Sequence, residues 1–296
     1  MTQRPTVEGL NTASARDFVA TLANVIEHSP WIAEAAERAR PFTSLADLRA
    51  ALIRVVDEAP SEQRHVLISA HPDLANRTQR AAGLTAESTA EQDGAGLDRL
   101  SDAEFALFEQ CNTAYKRKFG FPFILCVRRH TKDSILDAFA RRLKNSPQQE
   151  QQEAIREIGR IATLRLAELV EGEPPLATNG HLSTHVLDTH GGRPAAGVEL
   201  ELIELSRHGA SRVVVKTMTN ADGRSDRALI EGRPVPIGSY ELRFHIGAYF
   251  ARHGVTLNDP PFLDIVPVRF AVSEPEARLH VPLLVTPWSY TTYRGS

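Results

Sequence analysis

Two spacing rules divide the chain. Up to about residue 170, apolar residues recur every three to four positions, the period of an amphipathic helix. Phe18, Val19, Leu22, Val25 and Ile26 follow Ser14, which predicts a helix capped by that hydroxyl. Leu45, Leu48, Leu52, Val55 and Val56 follow Ser44 and stop before Pro60. Ser101 to Lys118 is a third helix, with Glu104 in the capping-box position after Ser101. Asp133 to Leu143 and Pro147 to Val170 complete the set, and Val66, Leu67 and Ile68 form a run expected to pack in the core. Strand signals are nearly absent here, so this half reads as an all-α, bundle-like helical domain.

Beyond residue 180 the period becomes two. Tyr240, Leu242, Phe244 and Ile246 fall on one side of a strand, with Glu241, Arg243 and His245 on the other. Val198 to Leu202, Arg212 to Thr219, Asp264 to Val272 and Arg278 to Val285 are further strands, separated by turn signals such as Ala221-Asp222-Gly223. One short helix is expected around Ala248 to Arg252. Short strands at regular intervals predict a β-sandwich. Between the halves, EGEPPLATNG lacks apolar periodicity and reads as an exposed linker. The expected division is therefore 1–170, a linker over 171–180, and 181–296.

Composition narrows the function. The 296 residues carry 34 Lys and Arg against 37 Asp and Glu, a net charge of -3, which gives no electrostatic case for binding nucleic acid or an anionic membrane. Cys111 and Cys126 cannot build a disulfide framework or a four-thiolate metal site, so the cytoplasm is the expected compartment. The opening residues lack the apolar core of a signal peptide, and FPFILCV is far too short to span a bilayer.

The informative residues are those that break the patterns. Ile155, Ile158, Ala162, Arg165 and Leu169 share one face of the last helix of the first half, which sets Arg165 on an apolar stripe. A guanidinium there needs an anion. On pattern alone an internal ion pair, or a stem reaching to the edge, is the stronger reading; a clamp for a substrate carboxylate or carbonyl is the alternative. His71 follows the Val66–Ile68 run and precedes Pro72, which pushes it out of helical conformation. Alone it reads best as a surface-loop histidine, yet it stands at the end of a buried element where a proton could be exchanged. In TAESTAEQ, Glu91 and Gln92 lie in a polar loop or helix start. Pro122 keeps FGFPFILCV out of a helix interior, so this run is core filler or a wall offering free backbone groups. Cys126 in it reads as a small buried hydrophobe rather than a nucleophile. His181, His185 and His190 lack the Glu of a zinc helix or a Cys partner, a weak metal signal.

The second half resembles the transthyretin-related 5-hydroxyisourate hydrolases over nearly its whole length, through LSTHVLDTHGGRPAAGV, TNADGRSD, YELRFHIGAYF, HVPLLVTPWSY and the final YRGS. The resemblance implies a transthyretin-like (prealbumin-like) sandwich, with a catalytic set of His185, Arg224, His280 and Ser296 and with Tyr293 lining the site. The first half resembles the decarboxylases of 2-oxo-4-hydroxy-4-carboxy-5-ureidoimidazoline (OHCU) from about Leu10 to Leu169, through HPDLA, ESTAEQ, FGFPFILCV and RIATLRL. This implies His71 as proton donor beside Pro72, a substrate-binding loop of Ser88, Thr89, Ala90, Glu91 and Gln92, a second binding segment of Phe123, Ile124, Leu125, Cys126 and Val127, and Arg165 as the substrate's helix arginine. The two resemblances describe consecutive reactions, so the expected protein is a multidomain α and β enzyme of urate breakdown that hydrolyses 5-hydroxyisourate and decarboxylates the product to S-allantoin. No cofactor and no metal are expected, the partners are small-molecule substrates, and the second half is expected to form a homotetramer. Three other readings remain: a non-enzymatic small-molecule carrier, a metal-dependent amidohydrolase, and a chain in which one half alone is active.

Overall fold

The computed structural model describes residues 4–75 and 86–295. These fall into two compact units, one of residues up to 128 together with 135–178, the other of 129–134 together with those from 179 onward. That residues 129–134 group with the second unit is not signalled by the sequence.

In the first unit the helices are α1 Val7–Thr12, α2 Ala15–Leu22, α3 Pro30–Glu37, α4 Leu45–Glu58, α5 Ser61–Ser69, α6 Ala86–Gly94, α7 Asp102–Phe119, α8 Lys132–Arg142 (which begins in the other unit) and α9 Pro147–Leu169. Ser14, Ser44, Ser101 and Ser146 each cap a helix through the side-chain oxygen, and Ser101 with Glu104 closes the capping box. Two expectations are corrected. The first predicted helix ends at Leu22, and Val25 and Ile26 are buried in the turn that follows. Of the run Val66–Ile68, Leu67 and Ile68 are buried while Val66 is 63% exposed. The run lies on helix α5, where three consecutive positions span too wide an arc for all to face the core.

Helix α9 is the organising element of this unit. Ala154, Ile158, Ala162 and Leu166 pack into the core, and Glu150, Glu157 and Arg165 are buried with them. Glu150 accepts from Arg142 Nε at 2.7 Å, from Asn145 Nδ2 at 2.7 Å and from the Tyr115 hydroxyl. Burial and the Glu150 carboxylate together push the Tyr115 hydroxyl far above the ordinary phenol range.

The second unit is a sandwich of two sheets. Strands β1 Gly180–Asp188, β2 Arg193–Pro194, β5 Ile230–Arg233, β8 Arg278–Val285 and β9 Tyr290–Thr292 form one. In it β8 pairs with β1 in parallel, β9 pairs with β8, and both β2 and β5 pair with β1. Strands β3 Glu199–Glu204, β4 Arg212–Met218, β6 Gly238–His245 and β7 Ile265–Val272 form the other, in the order β4-β3-β6-β7. Leu182, Val186, Leu200, Leu202, Leu242, Phe244, Val266, Leu283 and Val285 fill the space between them. A short helix α10, Ile246–Arg252, adds Tyr249 and Phe250 to the same core. Glu241, expected on a polar face, is only 2% exposed, clamped by Arg243 Nε at 2.6 Å and Arg269 Nε at 2.5 Å. Two cation stems cover it.

Candidate functional sites

In the helical unit α5 ends at Ser69, and His71 sits just beyond it, 9% exposed rather than in a surface loop. Its Nδ1 lies 2.9 Å from the Leu67 carbonyl oxygen. A carbonyl can only accept, so Nδ1 carries the hydrogen and Nε2 is left to exchange a proton. Burial lowers the proton affinity of this ring below the ordinary imidazole value. The Leu67 hydrogen bond and Glu27 oppose that shift, whereas Arg165 and His28 add to it.

Helix α6 carries the second group. Glu91 and Gln92 lie within this helix, and not in a loop. Ser88 and Gln92 are buried, Glu91 and Thr89 are half-buried, and Ala90 is exposed. The Gln92 side-chain oxygen Oε1 accepts from the Ala75 backbone amide at 3.1 Å. Arg165 from α9 meets Glu91 in a fork, Nε to Oε1 at 2.9 Å and Nη2 to Oε2 at 2.8 Å. Nη2 also donates to Ser88 Oγ at 3.2 Å, and Nη1 to the Asn24 carbonyl at 3.4 Å. The internal ion pair weighed for Arg165 is therefore formed.

A third wall was not signalled by the sequence. The turn after α2 passes through His28 at a φ of 53° and leaves Glu27 5% exposed. Both Glu27 oxygens accept the Ser88 hydroxyl, at 2.8 and 2.9 Å, and one lies 3.9 Å from Arg165 Nη2. Residues 123–127 are buried as expected, but their backbone is not wholly free. The Cys126 amide donates to Glu157 Oε2 at 2.9 Å, and the Ile124 carbonyl accepts from Arg142 Nη1 at 2.6 Å. Pro72 is half-buried beside His71.

In the sandwich the odd positions of β1 face outward. The parallel pairing sets Ser183 opposite His280 and His185 opposite Pro282. The Ser183 hydroxyl lies 3.0 Å from His280 Nδ1. The loop bearing Arg224 is stitched to β1: Val186 N donates to the Gly223 carbonyl at 2.8 Å, and His185 and Arg224 form a bridge. Gly223 has a φ of +73°, and a Cβ there would lie 2.3 Å from the Val186 carbonyl oxygen, so the close approach needs glycine. Burial, followed by the nearby Arg224 charge, lowers the proton affinity of both His185 and His280. His185 Nε2 is buried with no hydrogen-bond partner among the described residues, a polar atom that calls for a water or ligand. A cavity of about 390 Å³ opens on this face, lined by His181, Ser183, Arg224, Arg227, Arg278 and His280 among others. The Gly295 amide donates to the His280 carbonyl at 2.9 Å. Ser296 lies outside the described residues. Tyr293 is exposed and lines a neighbouring groove with Phe270, Leu279 and Val281, apart from the His280 cavity. Among the described residues, no three His, Cys, Asp or Glu side chains gather in a metal-holding group, and no helix is long and apolar enough to cross a membrane.

Known proteins align with both units. Residues 11–167 match the OHCU decarboxylase family, and residues 182–295 match the HIUase/transthyretin family. A 2-oxo-4-hydroxy-4-carboxy-5-ureidoimidazoline decarboxylase of Haloferax volcanii is 40% identical over 168 residues, covering 57% of this chain and 98% of its own. A 5-hydroxyisourate hydrolase of Rhizobium meliloti is 48% identical over 122 residues, covering 41% of this chain and all of its own. The crystal structure of an (S)-allantoin synthase superposes with a TM-score of 0.52 at 34% identity, covering 98% of this chain and 100% of that one.

Proposed function

Because the chain belongs to the OHCU decarboxylase family in its helical unit and to the HIUase/transthyretin family in its sandwich, we propose that it is a bifunctional enzyme of urate degradation. The sandwich hydrolyses 5-hydroxyisourate to OHCU, and the helical unit decarboxylates OHCU to S-allantoin. The observation that carries this reading is that each unit joins a proton-exchanging imidazole to a guanidinium: His71 near Arg165 in one, His185 and His280 near Arg224 in the other.

Hydrolysis needs a water made nucleophilic and a place for the oxyanion. His185 and His280, whose proton affinities are lowered, are neutral near pH 7 and accept the water's proton. Arg224 meets the negative charge on the attacked carbonyl, and the resemblance adds Ser296 and Tyr293, the latter exposed in the groove next to the His280 cavity. The water oxygen joins the carbonyl carbon, the ring C–N bond breaks, and the nitrogen takes up a proton.

Decarboxylation leaves a carbanion conjugated with the ring, so the ring's own heteroatoms take the charge. Arg165 and the backbone of Phe123, Ile124, Leu125, Cys126 and Val127 hold the substrate's oxygens, with Ser88, Thr89, Ala90 and Gln92 on the other wall. Entry of substrate then requires Arg165 to share its fork with Glu91. Glu91 meets ring N–H groups, and His71 gives a proton from Nε2 to one face, which sets the S configuration. The sandwich assembles as a homotetramer, and the enzyme works in the cytoplasm, where the Cys111 and Cys126 thiols stay free.

Two single variants test the division of labour. His280→Ala should leave 5-hydroxyisourate to its uncatalysed decay yet still decarboxylate supplied OHCU. His71→Asn should do the reverse, with stereospecific decarboxylation slowed by at least about 10²-fold. Loss of both activities in either folded variant, or of neither, would refute the assignment.

A further inference from the structure

The cavity beside His280 holds more positive charge than the hydrolytic step uses. Arg224 belongs to that step, but Arg227 and Arg278 also line the cavity, together with His181. His181 lies directly opposite Arg278 across the parallel β1–β8 pair, two positions along the outward face from Ser183. That direction leads away from His185. None of the three guanidiniums forms an ion pair among the described residues. The one carboxylate in the lining, Asp226, accepts from Asn220 Nδ2 at 3.1 Å. Such a surplus of unpaired cations in a concave site favours an anion.

The proposed hydrolysis makes an anion where none stood. 5-Hydroxyisourate has no carboxylate. When the ring C–N bond breaks, the attacked carbon becomes a carboxyl group and releases its proton. We propose that Arg278, Arg227 and His181 form an anion subsite that receives this new carboxylate, so that the cavity distinguishes product from substrate. The inference rests on the hydrolase reading of the same site. It assigns these three residues to holding and releasing product, with no part in activating water.

The test uses allantoate, a stable ureido carboxylate, as an inhibitor of 5-hydroxyisourate hydrolysis by the full chain, with allantoin as the control that lacks the carboxylate. Allantoate should inhibit, allantoin should not, and salt should weaken the inhibition. Arg278→Ala should raise the inhibition constant about tenfold, as expected for losing one charge-assisted contact. Arg278→Glu should abolish inhibition. Both variants should still hydrolyse 5-hydroxyisourate, because Arg278 has no part in activating water, and any change in kcat should trace to product release. If allantoate fails to inhibit the parent, or inhibits all three proteins equally while hydrolysis proceeds, the subsite is wrong and the hydrolase reading stands. If no protein hydrolyses 5-hydroxyisourate, it is that reading that fails.

Discussion

Replacing Arg165 by Met tests how the decarboxylase site is held together. The side chain is 8% exposed, its partner Glu91 14% and the nearby Glu27 5%. Methionine fills much of the volume but leaves two carboxylates without this cation. Removing one partner of a buried pair costs about 3–5 kcal/mol, against about 5–15 kcal/mol for a whole domain. The partial exposure of Glu91 sets the expectation at the lower end, about 3 kcal/mol at pH 8. Adding Glu91→Gln removes the carboxylate that has lost its two-point contact with Arg165 and should recover more than half the loss. Urea unfolding followed by circular dichroism at 222 nm reads the helical unit, and the four proteins form a double-mutant cycle. A loss below about 1 kcal/mol, as at an exposed ion pair, or a cycle with no coupling, would refute the account.

Four other outcomes follow. His71 donates only when protonated, and its proton affinity lies below the ordinary 6.5, so kcat/KM for decarboxylation should fall as pH rises through that lowered value. Hydrolysis needs neutral His185 and His280, so its kcat/KM should instead fall as pH drops below their lowered values; parallel profiles would contradict both assignments. Glu27→Gln removes a charge that favours protonated His71, so the decarboxylation limb should move to lower pH while hydrolysis is untouched; an unmoved limb would limit Glu27 to a structural role. Gly223→Ala must displace the Val186 carbonyl or the loop bearing Arg224, so hydrolysis should drop at least about tenfold, since small misplacements at a reacting centre cost up to about 10²-fold. Decarboxylation measured in the same variant should be unchanged.

The sequence was most legible where one local rule acts alone. Ser101 with Glu104 announces the start of α7 because both groups of the capping box lie within four residues. The alternation from Tyr240 to Ile246 predicts which side chains meet the core, because a strand has only two faces. Arg165 stood out as a charge on an apolar stripe, and the ion pair weighed for it is present. Glu27 was invisible because it stands at the end of what reads as a continuing helix, and its partner Ser88 lies 61 residues away. Glu241 was misjudged because its burial comes from neighbouring arginine stems, which a pattern of apolar and polar positions does not register. The parallel pairing that sets Ser183 opposite His280 joins segments 97 residues apart. No local signal encodes it, so resemblance alone brought His185 and His280 together beforehand.

The most direct test gives the intact protein freshly made 5-hydroxyisourate and follows ultraviolet absorbance and circular dichroism together. The account predicts that absorbance falls faster than in buffer and that the dichroism of a single allantoin enantiomer, S, then grows to a stable plateau. Absorbance that decays at the buffer rate, or rapid decay that ends in optically inactive allantoin, would contradict the claim that one chain catalyses both steps.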